Sequence, residues 1–132
     1  VTKAPHKATR PKGATSSDIK AITSRLREFA DERDWGKFHT PKNLVMALTG
    51  EVGELSELFQ WLGPKDVGKL IQDPVFMGKV RDEIADVAAY IFRLSDVLDI
   101  DLGQAMQKKI DKNAQKYPVE KAKGHARKYS EL

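Results

Sequence analysis

Apolar residues recur along this chain every three or four positions, the spacing of helices that each bury one face. Ile19, Ile22, Leu26 and Phe29 form the first such stripe. Ser16 or Ser17 is placed to cap that helix, Asp18 suits its first turn, and the charged run 31–34 should fray its end. Thr40 caps a second helix with Pro41 in its first position, where a missing N–H costs nothing. It should run to about Leu62 and stop at Gly63-Pro64. Residues 63–73 read as a connection with one short turn around Val67–Ile71. A third helix follows Asp73-Pro74 and reaches about Leu98. A fourth, capped by Asp99 or Asp101, runs from Leu102 to Lys116 and ends at Tyr117-Pro118. No segment reads as a strand. The pattern predicts an all-α fold, an antiparallel four-helix bundle. Its parts are a disordered basic leader (1–14), the helical domain (15–117) and an extended C-terminal tail (118–132).

The second helix contains the first chemical signal. Leu44, Leu48, Glu51, Leu55, Leu58 and Leu62 form one seam, and a carboxylate stands in it. An ionised group there is costly unless compensated. Glu54 lies one turn on, on the same face. In the third helix Glu83 and Asp86 are also three apart, beside a seam of Val80, Ile84, Val87, Ile91, Leu94 and Leu98. Acidic pairs on helix surfaces are commonly solvated and paired with Lys or Arg four residues on. These meet Leu55, Leu58, Val87 and Tyr90 instead. Four carboxylates facing one cleft, with no nitrogen or sulfur among them, suit Mg²⁺ or Mn²⁺.

The third helix is apolar on several sides, from Val75 to Leu98, which predicts a homo-oligomer built on it. On the fourth, Leu102, Met106, Lys109 and Asn113 share a face, with Tyr117 one turn later. If Leu102 and Met106 face the core, Lys109 and Asn113 sit at its inner end, within reach of phosphate oxygens. Residues 35–40, WGKFHT, hold more aromatic groups than a linker needs and should cover one end of the core.

Composition narrows the classes. With 132 residues the chain makes one domain. The absence of cysteine excludes disulfides, thiolate metal sites and thiol nucleophiles. No apolar run approaches the ~18 residues of a membrane span, and no signal-peptide pattern opens the chain, so a cytoplasmic protein without membrane partners is expected. The net charge of +4 belongs to the ends, since residues 15–115 carry −3. A basic arm can hold nucleic acid, but no aromatic interleaving accompanies this one, so no nucleic-acid partner is expected.

EVGE, then EIAD, then KKIDKNAQKYP resembles the all-α nucleoside triphosphate pyrophosphatases of the MazG-like superfamily. The longer run FADERDWGKFHTPKNLVMALTGEVGELSELFQW, with RKYSEL downstream, resembles its dCTP pyrophosphatase branch. The resemblance covers about residues 18–132, less the connection 63–78. It implies a tetramer that hydrolyses a nucleoside triphosphate, in particular dCTP, to the monophosphate and pyrophosphate, cleaning the nucleotide pool. It implies Glu51, Glu54, Glu83 and Asp86 as magnesium ligands. Lys109, Asn113 and Tyr117 fall on the triphosphate side, with Lys109 neutralising the leaving pyrophosphate. Trp35, His39, Trp61 and Tyr90 fall in the pocket for base and sugar, with the polar edge of His39 reading an exocyclic group. Asn43 and Gln60 are weaker candidates nearby. One position departs: animal members carry a histidine on the first helix facing the base, where this chain has Leu26. Two other readings stand beside this one, the same chemistry on another or modified pyrimidine, and a non-enzymatic helical scaffold.

Overall fold

Four long helices pack on one another in a chain of contacts. The computed structural model describes residues 16–132, with side chains from Asp18 onward, so the leader lies outside the described residues, as do the side chains through which Ser16 or Ser17 was expected to cap. The helices are α1 (Ser16–Glu32), α2 (Pro41–Glu57), α3 (Pro64–Leu70), α4 (Pro74–Val97), α5 (Leu102–Lys116) and α6 (Val119–Ala122), followed by a 3-10 turn at Tyr129–Glu131. No strand occurs among the described residues. α4 packs most extensively on α2 and next on α1, while the main neighbour of α5 is α1. Leu44 of α2 is fully buried, and Val80 of α4 and Ala30 of α1 are nearly so. A leucine so placed contributes about 1.5–3 kcal/mol.

The starts of the helices follow their caps. The Thr40 hydroxyl accepts from Asn43 N at 3.3 Å, with Pro41 behind it. The Asp73 carboxylate accepts from Val75 N, and that of Asp101 from Gln104 N, both at 3.0 Å.

The ends were harder to foresee. α1 does not fray in its charged run. Asp34 takes a left-handed conformation (φ 52°) and donates to Asp31 O, while Trp35 N–H returns to Ala30 O at 2.9 Å. Asp99 (φ 54°) ends α4 in the same way, with Ile100 N–H on Ser95 O at 2.8 Å. Both are Schellman closures, in which an aspartate occupies the place glycine more often fills. Of the two expected caps for α5, Asp101 is the cap and Asp99 the terminator of α4.

Three further expectations are corrected. α2 stops at Glu57 rather than Leu62, because Leu58 N–H turns to Leu55 O and Phe59 packs edge-on against Phe76 of α4. The inward stripe of α4 runs through Val80, Glu83, Val87, Tyr90 and Leu94, so Glu83 stands in the stripe rather than beside it, and Ile84, Ile91 and Leu98 turn outward. Residues 118–132 are not extended: α6 and the closing 3-10 turn bring Tyr129 edge-on to Tyr117, with Lys116 over its ring.

One ion-pair chain ties α1 to α4. Arg27 donates to Asp96 through Nε and Nη2, and Arg93 Nη1 donates to the same carboxylate at 2.8 Å. The Arg27 guanidinium, helped by Arg93, holds the Asp96 carboxyl below its ordinary value. A depressed folded-state pKa gives stability that is complete above the unfolded aspartate value, about 3.9, and is lost as pH falls through the folded one. Asp96→Asn should therefore cost about 1–3 kcal/mol at pH 7. In urea titrations the gap from wild type should shrink below pH 4; a pH-independent gap would assign the loss to packing instead.

A carboxylate cluster beside an aromatic cavity

The packing of α2 on α4 decides where the acidic residues meet. Glu51 belongs to the leucine seam of α2 and Glu83 to the inward stripe of α4, so both are carried into the contact between the two helices. Glu51, Glu83 and Asp86 each place a carboxylate oxygen within 4.8 Å of the other two. Glu51 and Glu83 are half-buried and Asp86 is exposed. Glu54 is exposed too, yet near enough to interact with both buried glutamates.

The cluster is unsatisfied as it stands. Oε2 of Glu51 and Oε2 of Glu83 are shut from water with no hydrogen-bond partner among the described residues. Burial, and then the carboxylate of Glu54, push the Glu51 carboxyl up. Burial and the charges of Glu54 and Asp86 push Glu83 up likewise. Orphaned buried oxygens amid like charges are what a hard divalent cation relieves, so these residues fit such a metal.

A cavity of about 200 Å³ opens against the cluster, lined by Glu51 and Asp86 and by Leu26, Phe29, Trp35, His39, Tyr90 and Arg93, among others. Whole-ligand pockets run to roughly 300–1,000 Å³, so this one suits a single ring rather than a whole nucleotide. Trp35 is set there by the Schellman closure of α1, and it meets Phe29 (centroids 5.7 Å) and His39 (6.1 Å) edge-on. Arg93 Nε donates to His39 Nδ1 at 3.0 Å. Burial first, then the Arg93 charge, hold the imidazole below its ordinary pKa. A larger cleft of about 400 Å³ lies between α1 and the α4–α5 junction, but four of its five charged residues are paired, Arg27 with Asp96 and Lys20 with Asp101, and the fifth, Asp99, is the terminator of α4.

The residues anticipated from sequence divide into two groups. Glu51, Glu54, Glu83, Asp86, Trp35, His39 and Tyr90 come together. Trp61 does not line the cavity; the turn after α2 leaves it 87% exposed. Lys109, Asn113 and Tyr117 are exposed on or just beyond α5. Met106, expected to face the core, is 51% exposed because α5 rests mainly on α1. Asn43 holds the aromatic loop, donating from Nδ2 to Phe38 O at 3.0 Å, and Gln60 is exposed. Arg93 was missed. Its signal was a lone cation in the otherwise apolar stretch from Val87 to Leu94.

A model of the MazG-like family matches residues 47–132. Curated relatives include "dCTP pyrophosphatase 1" of Mus musculus, 43% identical over 118 residues, which are 89% of this chain and 68% of that protein. The Homo sapiens protein of the same name is 42% identical over the same shares. Among solved structures, a pyrophosphatase from Archaeoglobus fulgidus superposes with a TM-score of 0.71 at 37% identity, over 85% of this chain and 99% of that one.

The raised glutamate values have a sign. They cost the metal-free fold nothing at low pH, begin to cost it above the unfolded glutamate value of about 4.3, and cost it fully above the folded ones. Metal-free Glu51→Gln should therefore melt higher than wild type at pH 7.5 and equal to it near pH 3.5. Millimolar Mg²⁺ should raise the melting point of wild type and leave the variant nearly unmoved, by mass action on the folded state. Equal Mg²⁺ responses would remove Glu51 from the ligand set.

Proposed function

Because this chain belongs to the MazG-like family, we infer that it is a nucleoside triphosphate pyrophosphohydrolase that converts dCTP and water to dCMP and pyrophosphate in the cytoplasm. The observation that carries this reading is the ring-sized aromatic cavity opening directly onto the carboxylate cluster. A base in the cavity sets its phosphates toward Glu51 and Asp86, where the reaction must occur.

Glu51, Glu83 and Asp86, with Glu54 beside them, would hold Mg²⁺, with Mn²⁺ as a substitute. Bound there, the cation would offset the charge of the triphosphate and acidify an attacking water. Trp35 and Tyr90 offer aromatic faces and edges to the pyrimidine, at about 1–3 kcal/mol per stacked contact. Leu26 gives the cavity an apolar wall. Water attacks the α-phosphorus, one carboxylate takes its proton, and the bond to the bridging oxygen breaks toward pyrophosphate.

Lys109, Asn113, Tyr117 and Trp61 enter this reading through assembly. Val75 (69% exposed), Ile84 (53%) and Ile91 on α4, with Met46 on α2, leave an apolar surface that one chain does not cover. We read the chain as one subunit of a homotetramer. In it the helices of neighbouring copies complete antiparallel bundles, and a neighbour brings residues of α5 and Trp61 to the triphosphate and the base. Light scattering at micromolar concentration should give four times the 14.8 kDa chain mass. A 14.8 kDa species would overturn the assembly.

With Mg²⁺ and a panel of deoxynucleoside triphosphates, dCTP should be turned over fastest, giving dCMP and intact pyrophosphate. Glu51→Gln should remove nearly all turnover while its circular dichroism stays helical. Orthophosphate with dCDP would place attack at the γ-phosphorus and overturn the reading. Equal kcat/KM for dCTP, dTTP and dATP would withdraw the choice of dCTP and leave the reaction class.

A further inference from the structure

His39 is a cavity wall that can in principle either give or take a hydrogen bond, and a neighbouring side chain removes the choice. Arg93 donates from Nε to His39 Nδ1 at 3.0 Å. A guanidinium has no acceptor atom, so Nδ1 must present its lone pair, and the proton of the neutral ring sits on Nε2. Arg93 is itself held: its Nη1 donates to Asp96 Oδ2 at 2.8 Å, one turn further along α4. Asp96 is gripped in turn by Arg27 of α1, Nε reaching Oδ2 at 2.9 Å and Nη2 reaching Oδ1. The side chains of Arg93 and Asp96 are only 11% and 12% exposed, so little water competes for these bonds. The relay Arg27–Asp96–Arg93–His39 runs from α1 through α4 to the loop before α2 and ends at the cavity. Nε2 of His39 has no hydrogen-bond partner among the described residues.

We propose that Arg93 is a positioning residue for base selection, which locks His39 as the Nε2–H tautomer so that the cavity offers a donor to a lone pair on the base. The matching chemistry is a ring carbonyl oxygen or an unprotonated ring nitrogen, both of which cytosine carries. A locked Nε2–H gives nothing to accept an exocyclic amino group, so His39 reads the exocyclic carbonyl or the ring nitrogen beside it, and not the amine. An unheld histidine could present either nitrogen form and would discriminate less. The inference rests on the cavity being the base site, and its first readout needs no substrate.

That readout is the nitrogen spectrum of His39 in protein labelled with ¹⁵N-histidine at pH 7.5, recorded through its long-range couplings to the ring protons. Wild type should show the Nε2–H tautomer alone, and Arg93→Met a mixture with Nδ1–H. In steady-state assays with Mg²⁺, Arg93→Met should raise KM for dCTP about fivefold, the worth of one hydrogen bond, with kcat within about twofold of wild type. If Arg93→Met does not fold, Arg93→Gln keeps a polar group near Asp96 yet cannot reach both partners, and the same changes are expected of it. An Nδ1–H signal in wild type overturns the proposal, as does a variant with an unchanged spectrum or an unchanged KM. A fall in kcat at constant KM also overturns it, because that is the mark of a structural or catalytic role. A wild type that cleaves no nucleoside triphosphate overturns the proposed function and leaves the tautomer result standing. A wild type that cleaves dCTP with Nδ1–H on His39 overturns this inference alone.

Discussion

Two carboxylate oxygens are enclosed where α2 meets α4, and neither has a hydrogen-bond partner among the described residues. Everything else in the structure is arranged around that tension. The same contact buries Leu44 and Val80, so the hydrophobic attraction that joins the helices also forces Glu51 and Glu83 together. A protein selected only for stability would have placed leucine at position 51, as the rest of the seam does. A fold that keeps the charge gives up stability at a cluster suited to positive charge, and strain of this kind concentrates where ligands bind. The acidic seam and the aromatic cavity are thus two faces of one packing arrangement.

Further along α4, where Asp96 meets Arg27 of α1, the charge logic reverses. Asp96 is satisfied by two guanidiniums, and its carboxyl is held down where those of Glu51 and Glu83 are pushed up. Along α4 the acidic groups therefore differ by contact: Asp96 is paired and braces α1, while Glu83 meets like charge where α4 packs on α2. His39 lies between these regimes, tied to the braced side by Arg93 and facing the open side across the cavity.

Much of this was legible in the chain. Helical period, proline and cap residues located the four long helices, because those signals act within a turn or two of backbone. Glu51 stood out because a charge interrupting a leucine seam is visible without coordinates. The misassigned stripe of α4 shows the limit. Glu83 and Ile84 are adjacent, both continue a three-four spacing, and only contact with α2 decides which turns inward. The two closures at Asp34 and Asp99 were hidden because aspartate is an uncommon occupant of the left-handed position, so composition gave no glycine to find. Arg93 was hidden because His39, to which it donates, lies 54 residues upstream, and its near partner Asp96 is fixed by Arg27, 69 residues before Asp96. The exposed places of Lys109, Asn113 and Trp61 follow from the openness of a single chain, which no local pattern records.

The left-handed turn at Asp34 has a reach beyond ending a helix. Its backbone bonds hang Trp35 against Phe29 and at the cavity, so the aim of a side chain that lines it is fixed by the torsion of the residue before it. Such a torsion is open to glycine, asparagine and aspartate and costly to nearly everything else, branched side chains above all. The mutational alphabet at position 34 is therefore short for a reason unrelated to its charge or exposure. Drift at this surface residue would be filtered by the shape of a cavity it does not line.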